Sequence, residues 1–354
     1  DHWWSGEVKM DTETIKRYIS FAAEMGWPYQ LIDWQWYGSY NRPGSDVSEV
    51  HPAVDMDEVR RFAAEKGVRL WLWLYWTDVE RSDFVMLCAK FKEWGIAGIK
   101  IDFMAREDQW MVNWYHRIIK TAAANNLMVD FHGAYKPTGF RRTYPNLMTR
   151  EGVLGNEYNK WSDKVTPAHN CTLVYTRGLL GEMDYTPGGF LNRNPEDFRI
   201  ALHQPEPIPT EVQGTRAHQL ALFVVFESPI MVVCEHPDHI IGQSGEDFLR
   251  VVPTVWDETI GLAGEIGSYA VVAKRSGTDW FVGAITNQEA RVLEIPLGFL
   301  EAGNWIAEIW ADGPDAPLDA SDLIKDKVTL DSSGSIELNL ASGGGAVVRL
   351  IPAE

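Results

Sequence analysis

Acidic or imidazole side chains stand where apolar runs of this chain stop: Asp33, Asp78, Asp102, His132, Glu151, Glu157 and Asp184. The clearest is Asp102. Apolar residues after Gly95 lead into Ile99-Lys100-Ile101, and beyond Asp102 the residues Phe103 and Met104 hand over to a charged turn and a new helix. Such a run, with β-branched members, reads as a strand buried on both faces. A carboxylate at its C-terminal end sits where an α/β barrel displays its chemistry. Its burial must be offset by hydrogen bonds or opposite charge, and Lys100 and Arg106 are near in sequence. The alternative is that Asp102 merely caps the helix starting near Glu107, a task residues 106–108 could also serve. Two or more carboxylates flanked by Trp and Tyr match what glycosidic cleavage needs: one acid to protonate the leaving oxygen, one group to handle the anomeric carbon.

Other chemistries fit less well. The formal net charge is -18, a surface that repels phosphate backbones and anionic membranes, so neither nucleic acid nor membrane is expected as a partner. No apolar run is long enough to span a bilayer. Cys88, Cys171 and Cys234 have no C-x-x-C spacing, no His/Cys set has zinc spacing, and G-x-S-x-G is absent, which argues against a zinc site and a serine hydrolase. Asn170-Cys171-Thr172 fits a glycosylation sequon, a motif with a high chance rate. Sixteen Trp tilt composition modestly toward carbohydrate, since aromatic faces stack on sugars but also fill cores. Trp34, Trp36, Trp71, Trp73 and Trp76 cluster around the ends of two strands; the outward ones could stack on a sugar, the inward ones pack the core.

The elements that must position these groups alternate. Helical periods at residues 12–25, 56–66, 82–94, 109–124 and 215–226 separate apolar strands ending near residues 33, 74, 102, 132, 149, 184 and 234. Helix after strand implies parallel pairing with crossover helices. An eight-stranded (β/α)8 TIM barrel needs one more strand, whose natural place is before residue 12. Trp3-Trp4-Ser5 would be its tail, with the strand's start preceding the chain. A doubly wound nucleotide fold is not supported, because no strand is followed by G-x-G-x-x-G or a P-loop. From Gly264 onward the period changes to two, with hairpin signals such as Ser276-Gly277 and Ser333-Gly334, so an antiparallel β-sandwich is expected. The expected domains are an α/β barrel over 1–260 and a sandwich over 261–354.

Several stretches resemble glycoside hydrolase family 97: residues 99–109 (IKIDFMAREDQ), 128–134 (MVDFHGA), 144–158 (YPNLMTREGVLGNEY) and 183–189 (MDYTPGG). The likeness covers nearly the whole chain. It implies a bacterial periplasmic or secreted enzyme with an N-terminal β-super-sandwich, missing here, packed on a catalytic barrel and a C-terminal sandwich. Family members of the retaining, α-galactosidase-like branch carry an Asp nucleophile that Asp102 matches. The inverting branch carries a base Glu just after the strand-five His, where this chain has Gly133. The general acid/base matches Glu157. A calcium ion held by carboxylates including those matching Glu151 and Glu157 is also implied, although Gly133 replaces one ligand of the inverting branch. Glu151 could instead pair with Arg150 or Arg141. The implied partner is an oligosaccharide ending in α-galactose, bound by candidates Asp33, Asp78, Lys100, His132 and Asp184, with Trp36 or Trp76 as a stacking platform. The competing readings are a retaining α-glucosidase and a non-catalytic sugar-binding or structural fragment of a larger glycosidase.

Overall fold

In the computed structural model, which describes residues 3–4 and 9–353, the longer helices of the first part of the chain each begin on a carboxylate. Asp11 caps α1 (Thr12–Met25), Asp55 caps α2 (Met56–Lys66), Asp83 caps α4 (Phe84–Glu93) and Asp108 caps α5 (Gln109–Ala124). Each side chain accepts from a backbone N–H of the first turn, satisfying donors that have no intrahelical partner. The short α3 (Trp76–Arg81) lacks such a cap. Gly26 and Gly67 stop α1 and α2 in the left-handed conformation, at φ 75° and 72°, where a residue without Cβ pays no steric penalty.

Between these helices run β1 (Tyr29–Ile32), β2 (Arg69–Tyr75), β3 (Gly98–Asp102), β4 (Met128–Phe131) and β5 (Leu147–Arg150). All neighbours pair in parallel, in the order β1-β2-β3-β4-β5. Parallel pairing follows from the crossover helices, and it brings the carboxyl ends of all five strands to one edge. The core of this layer includes Ile32, Leu72, Ile99, Ile101, Val129 and Phe131 from the strands and Ile15, Phe91 and Trp114 from the helices.

Two expected strands are not there. Leu179 and Leu180 lie in a 3-10 turn (Arg177–Leu180), and residues 181–191 are irregular although mostly buried. Ile230–Cys234 is likewise irregular. Flanking prolines and glycines (Pro187, Gly188, Pro229) remove donors and permit backbone conformations that a ladder cannot use. Asp184 still joins the sheet by one bond, its N–H donating to Arg150 O at 3.1 Å. The expected helix over 247–252 is a single turn, Glu246–Leu249. The strand expected at Trp3-Trp4-Ser5 falls partly outside the described residues; Trp3 and Trp4 have turn and bend geometry.

The chain divides into two compact units, Asp1–Val153 with Leu180–Asp184, and Leu154–Leu179 with Tyr185–Glu354. The second holds α6 (Pro167–Tyr175), a two-residue parallel pair β6 (Asn192–Arg193) and β7 (Val212–Gln213), and α7 (Arg216–Val225). It also holds eight antiparallel strands: β8 (Glu258–Glu265), β9 (Tyr269–Ser276), β10 (Asp279–Thr286), β11 (Arg291–Pro296), β12 (Asn304–Asp312), β13 (Leu323–Asp331), β14 (Ser335–Leu340) and β15 (Gly345–Pro352). Six form one sheet, β13-β12-β15-β10-β9-β8, and β11 pairs with β14. The two sheets share a core, with Ile295, Ile336 and Leu338 from the small one and Val271, Val282 and Val348 from the large one. Every residue of α7 is buried. A Cβ on Gly283 of β10 would come within 2.7 Å of Val224 Cβ, so glycine there lets α7 approach the sheet. Among the described residues, no helix is long and apolar enough to cross a membrane.

Candidate active site

Asp102 is the last residue of β3, half-buried at the carboxyl edge of the sheet. It does not cap the following helix, because Asp108 accepts from Met111 N there. The Asp102 carboxylate is held by two neutral donors instead. The Trp73 indole N–H donates to Oδ2 at 2.9 Å, and the Phe103 backbone N–H donates to Oδ1. Phe103 adopts φ 62°, a left-handed conformation that costs about 1 kcal/mol or more for a non-glycine residue and is found preferentially at functional sites. Gly133, at φ 58°, lies against the same group. A Cβ added there would stand 3.1 Å from Asp102 Oδ1 and 3.0 Å from Phe103 N, so a side chain at 133 would be strained and would crowd the carboxylate.

Beneath Asp102 lies a buried polar cluster. Lys100, on the same strand, points its ammonium at Asp184 Oδ2 at 3.0 Å. His132 Nδ1 lies 2.8 Å from the same oxygen, and its Nε2 is 3.3 Å from Glu151 Oε1. Glu151 Oε2 accepts the Gly133 N–H at 2.8 Å. Burial works against the charge of Lys100, yet the carboxylates of Asp184, Asp33, Asp130 and Asp102 outweigh it and hold the ammonium well above the usual lysine range. Asp184 is the converse: burial would raise it, but Lys100 and His132 hold it below the usual carboxylate range. Asp130, which sequence reasoning missed because it lies inside a strand, joins this cluster, and its ligand atoms with those of His132 and Asp184 fall within 4.8 Å of one another. Burial and then the charge of Asp184 push Asp130 well above the carboxylate range, against the pull of Lys100.

Asp33, just past β1, is buried; Oδ1 accepts the Trp34 N–H at 2.8 Å, while Oδ2 has no hydrogen-bond donor among the described residues. Burial raises its pKa to about 6 against the pull of Lys100. The folded chain therefore keeps this proton in a range where the unfolded chain, near 3.8, has lost it. The resulting stability is present at low pH and lost as pH rises from about 4 through about 6. Asp33→Asn removes this titration. In urea unfolding, the wild type should lose stability relative to the variant across that window, and parallel curves would show that Asp33 ionises normally.

Other expected site residues are placed differently. Trp36 is fully buried in the core and its indole donates to Trp73 O at 2.6 Å, so it presents no face to a sugar. Trp76 is half-buried, edge-on to Trp110 and Trp114. Asp78 is buried and already committed: it accepts from Tyr37 Oη and Asn41 N at 2.9 Å and pairs with Arg81. That set pins the 37–41 loop and leaves Asp78 no role as a sugar acceptor. The two arginines expected beside Glu151 have other partners. Arg141 pairs with Glu182 at 3.1 Å, and the Arg150 guanidinium sits among the rings of Tyr115, Tyr135, Phe131 and Phe140. Glu157 lies in the second unit, in the 3-10 segment Asn156–Lys160. A shelf of rings beside Asp102 went unnoticed in the sequence: Phe103 stacks on Tyr75 (5.1 Å, 22°) and Tyr75 on Tyr40 (5.5 Å, 24°), and about half of the Phe103 surface is exposed. An exposed aromatic just after a strand-end acid was the available signal.

Residues 3–153 match the model for glycoside hydrolase 97, and residues 255–351 match the model for the glycosyl-hydrolase 97 C-terminal, oligomerisation domain. The chain is 35% identical over 346 residues to a retaining alpha-galactosidase of Bacteroides thetaiotaomicron, covering 96% of this chain and 51% of that protein. It thus spans about half the length of that curated relative. A glycoside hydrolase family 97 enzyme from a Pseudoalteromonas species, solved in complex with acarbose, superposes with a TM-score of 0.87 at 29% identity, covering 99% of this chain and 58% of that one. A beta-arabinopyranosidase superposes with a TM-score of 0.80 at 25% identity, over 98% of this chain and 54% of its own. Matched by both family models and aligned along nearly its whole length with that Bacteroides enzyme, the chain belongs to glycoside hydrolase family 97.

Proposed function

We propose that this chain is the catalytic part of a retaining exo-acting glycosidase that releases terminal α-galactose, and that β1–β5 belong to a (β/α)8 barrel. Asp102 attacks the anomeric carbon while Glu157 protonates the leaving oxygen; Glu157 then takes a proton from the water that releases the sugar. The observation that carries the reading is the pairing of Asp102 with Gly133. A carboxylate is held at the strand end, and the neighbouring position, where an inverting enzyme would keep its base, has a backbone and surroundings that disfavour a side chain. Asp33 Oδ2, buried and without a donor among the described residues, is the candidate acceptor for a sugar hydroxyl, and the Phe103–Tyr75 shelf the candidate stacking surface. In this reading the enzyme works in the periplasm or outside the cell.

Galactose and glucose differ only in the orientation of one hydroxyl, and a site that hydrogen-bonds it discriminates strongly against the epimer. The galactose reading draws on the Bacteroides relative; the acarbose complex of the Pseudoalteromonas enzyme favours α-glucosides as the second reading. The test is kcat/KM for 4-nitrophenyl α-galactoside, α-glucoside and β-L-arabinopyranoside. The galactoside should lead, with the arabinoside slower because contacts to the hydroxymethyl group are lost. A lead for the glucoside would overturn the sugar assignment and leave the retaining chemistry standing. Binding of sugar with no turnover of any of the three would favour a non-catalytic role.

Calcium fits the residues present. The Nδ1 of His132 faces a carboxylate and so carries a proton. Glu151 is a buried carboxylate whose Oε1 lies 3.3 Å from His132 Nε2, a spacing that two neighbouring ligands of one cation also take. Glu151 would hold the ion, with Glu157 the second carboxylate of the proposed set, and its charge would supply electrostatic stabilisation beside the leaving group. Chelation should reduce activity and thermal stability together, and calcium should restore both better than magnesium, whose octahedral demand suits an irregular site poorly. An unchanged melting curve and rate in a preparation shown by elemental analysis to be metal-free would remove the ion from this reading.

A further inference from the structure

We propose that Trp73 is a positioning residue for the reaction: its indole N–H holds the carboxylate of Asp102 and stabilises that carboxylate when it leaves the sugar. This rests on the retaining reading given above. Trp73 lies in the middle of β2, almost wholly buried, and its register partner on β3 is Lys100, two residues before Asp102. A core tryptophan would ordinarily satisfy its N–H on a backbone carbonyl, as Trp36 does on Trp73 O. Trp73 instead donates to Asp102 Oδ2 at 2.9 Å. The ring cannot easily turn away. Tyr37 stacks on it at 6.3 Å and 19°, and Tyr40, Tyr75 and Phe103 meet it edge-on at 5.4, 6.2 and 6.3 Å.

The Phe103 N–H occupies the other oxygen of Asp102. Each carboxylate oxygen has two in-plane lone pairs, so one donor on each leaves a lone pair free to attack the sugar while fixing the rotation of the group. In the first half-reaction an Asp102 oxygen bonds to the anomeric carbon and the carboxylate charge falls. The glycosidic C–O bond breaks with its electron pair passing to the leaving oxygen, which takes the proton of Glu157. In the second, water attacks that carbon, the C–O bond to Asp102 breaks with its electron pair returning to the carboxylate, and the water proton passes to Glu157. Charge grows on Asp102 only in the second step, and a donor to a charged acceptor strengthens as that charge grows. The N–H of Trp73 therefore favours release of the glycosyl-enzyme more than its formation.

The experiment uses Trp73→Phe and replacement of Trp73 by 3-benzothienylalanine, which keeps the ring shape and lacks the N–H. Both are assayed in the intact protein with the better of 4-nitrophenyl α-galactoside and α-glucoside. The isostere should lower kcat by about ten- to hundredfold, the range expected for a hydrogen bond to a charged group. KM should fall in parallel, leaving kcat/KM within about threefold, and a glycosyl adduct on the Asp102 peptide should accumulate. In an Asp102→Gly background rescued by azide, Trp73→Phe should change nothing further, because the group it serves is gone. Unchanged kcat in the isostere, or an equal loss in the azide-rescued reaction, would overturn the inference, as either would make Trp73 a packing residue. If Asp102→Gly is inactive and rescued but the Trp73 effects persist, only this inference fails. If Asp102→Gly keeps its activity, the retaining reading fails with it.

Discussion

Replacement of Asp102 by Ala should abolish turnover, lowering kcat on the order of 10³-fold or more, and added azide should restore part of it. The carboxylate ends β3, where its neighbours are the uncharged N–H groups of Trp73 and Phe103 and the bare Cα of Gly133. Removing it leaves a space lined by hydrogen-bond donors, which suits a small anion. Azide attacking from that space yields a glycosyl azide whose anomeric configuration is opposite to that of the substrate. The product is identified by NMR, which makes the outcome specific to a nucleophile and not to a general loss of structure. An Asp102→Ala protein with normal activity would end the assignment of Asp102.

A Lys100→Met variant should be less stable by about 3–5 kcal/mol at neutral pH, the cost of breaking a buried ion pair from one side. The Lys100 and Asp184 side chains are 3% and 1% exposed and their charges 3.0 Å apart, so water cannot take over when the ammonium is removed. Met conserves most of the volume, which separates the electrostatic loss from a cavity. The pH dependence has a definite sign. Asp184 is held below the usual carboxylate range by Lys100 and His132, so its contribution is present above the unfolded pKa near 3.8 and lost as pH falls below it. The gap between wild type and variant should therefore be widest at neutral pH and shrink under acid conditions. Denaturation midpoints at the two pH values read this directly, and a gap that is small at neutral pH would mean that Asp184 already shares its charge with His132 alone.

These two predictions draw on different levels of information. Asp102 was legible as a strand-end acid because the apolar run before it and the polar turn after it are local patterns, and side-chain alternation does not depend on the rest of the chain. The same holds for α2 and α5, whose bounds follow from their periodicity and their Asp caps, and for the seven antiparallel strands β9–β15 with their period of two. Local pattern failed at Leu179–Asp184 and Ile230–Cys234, where apolar runs with the composition of strands remain irregular because a ladder needs a neighbouring backbone in register and proline and glycine interrupt it.

Sequence alone thus determined the order of elements, the change from alternating helix and strand to an all-β part, and the strand-end acid to which the chemistry is assigned here. Only the tertiary structure decided which polar residues act together. Asp78 is consumed by the 37–41 loop, Trp36 by the core, and Asp130 enters a cluster with Lys100, His132 and Asp184 although 54 residues separate it from Asp184. It also decided that Trp73, one tryptophan among sixteen, turns its single donor toward Asp102. The reason is that hydrogen bonding and desolvation depend on distances of a few ångströms between residues remote in sequence, and periodicity carries no record of them.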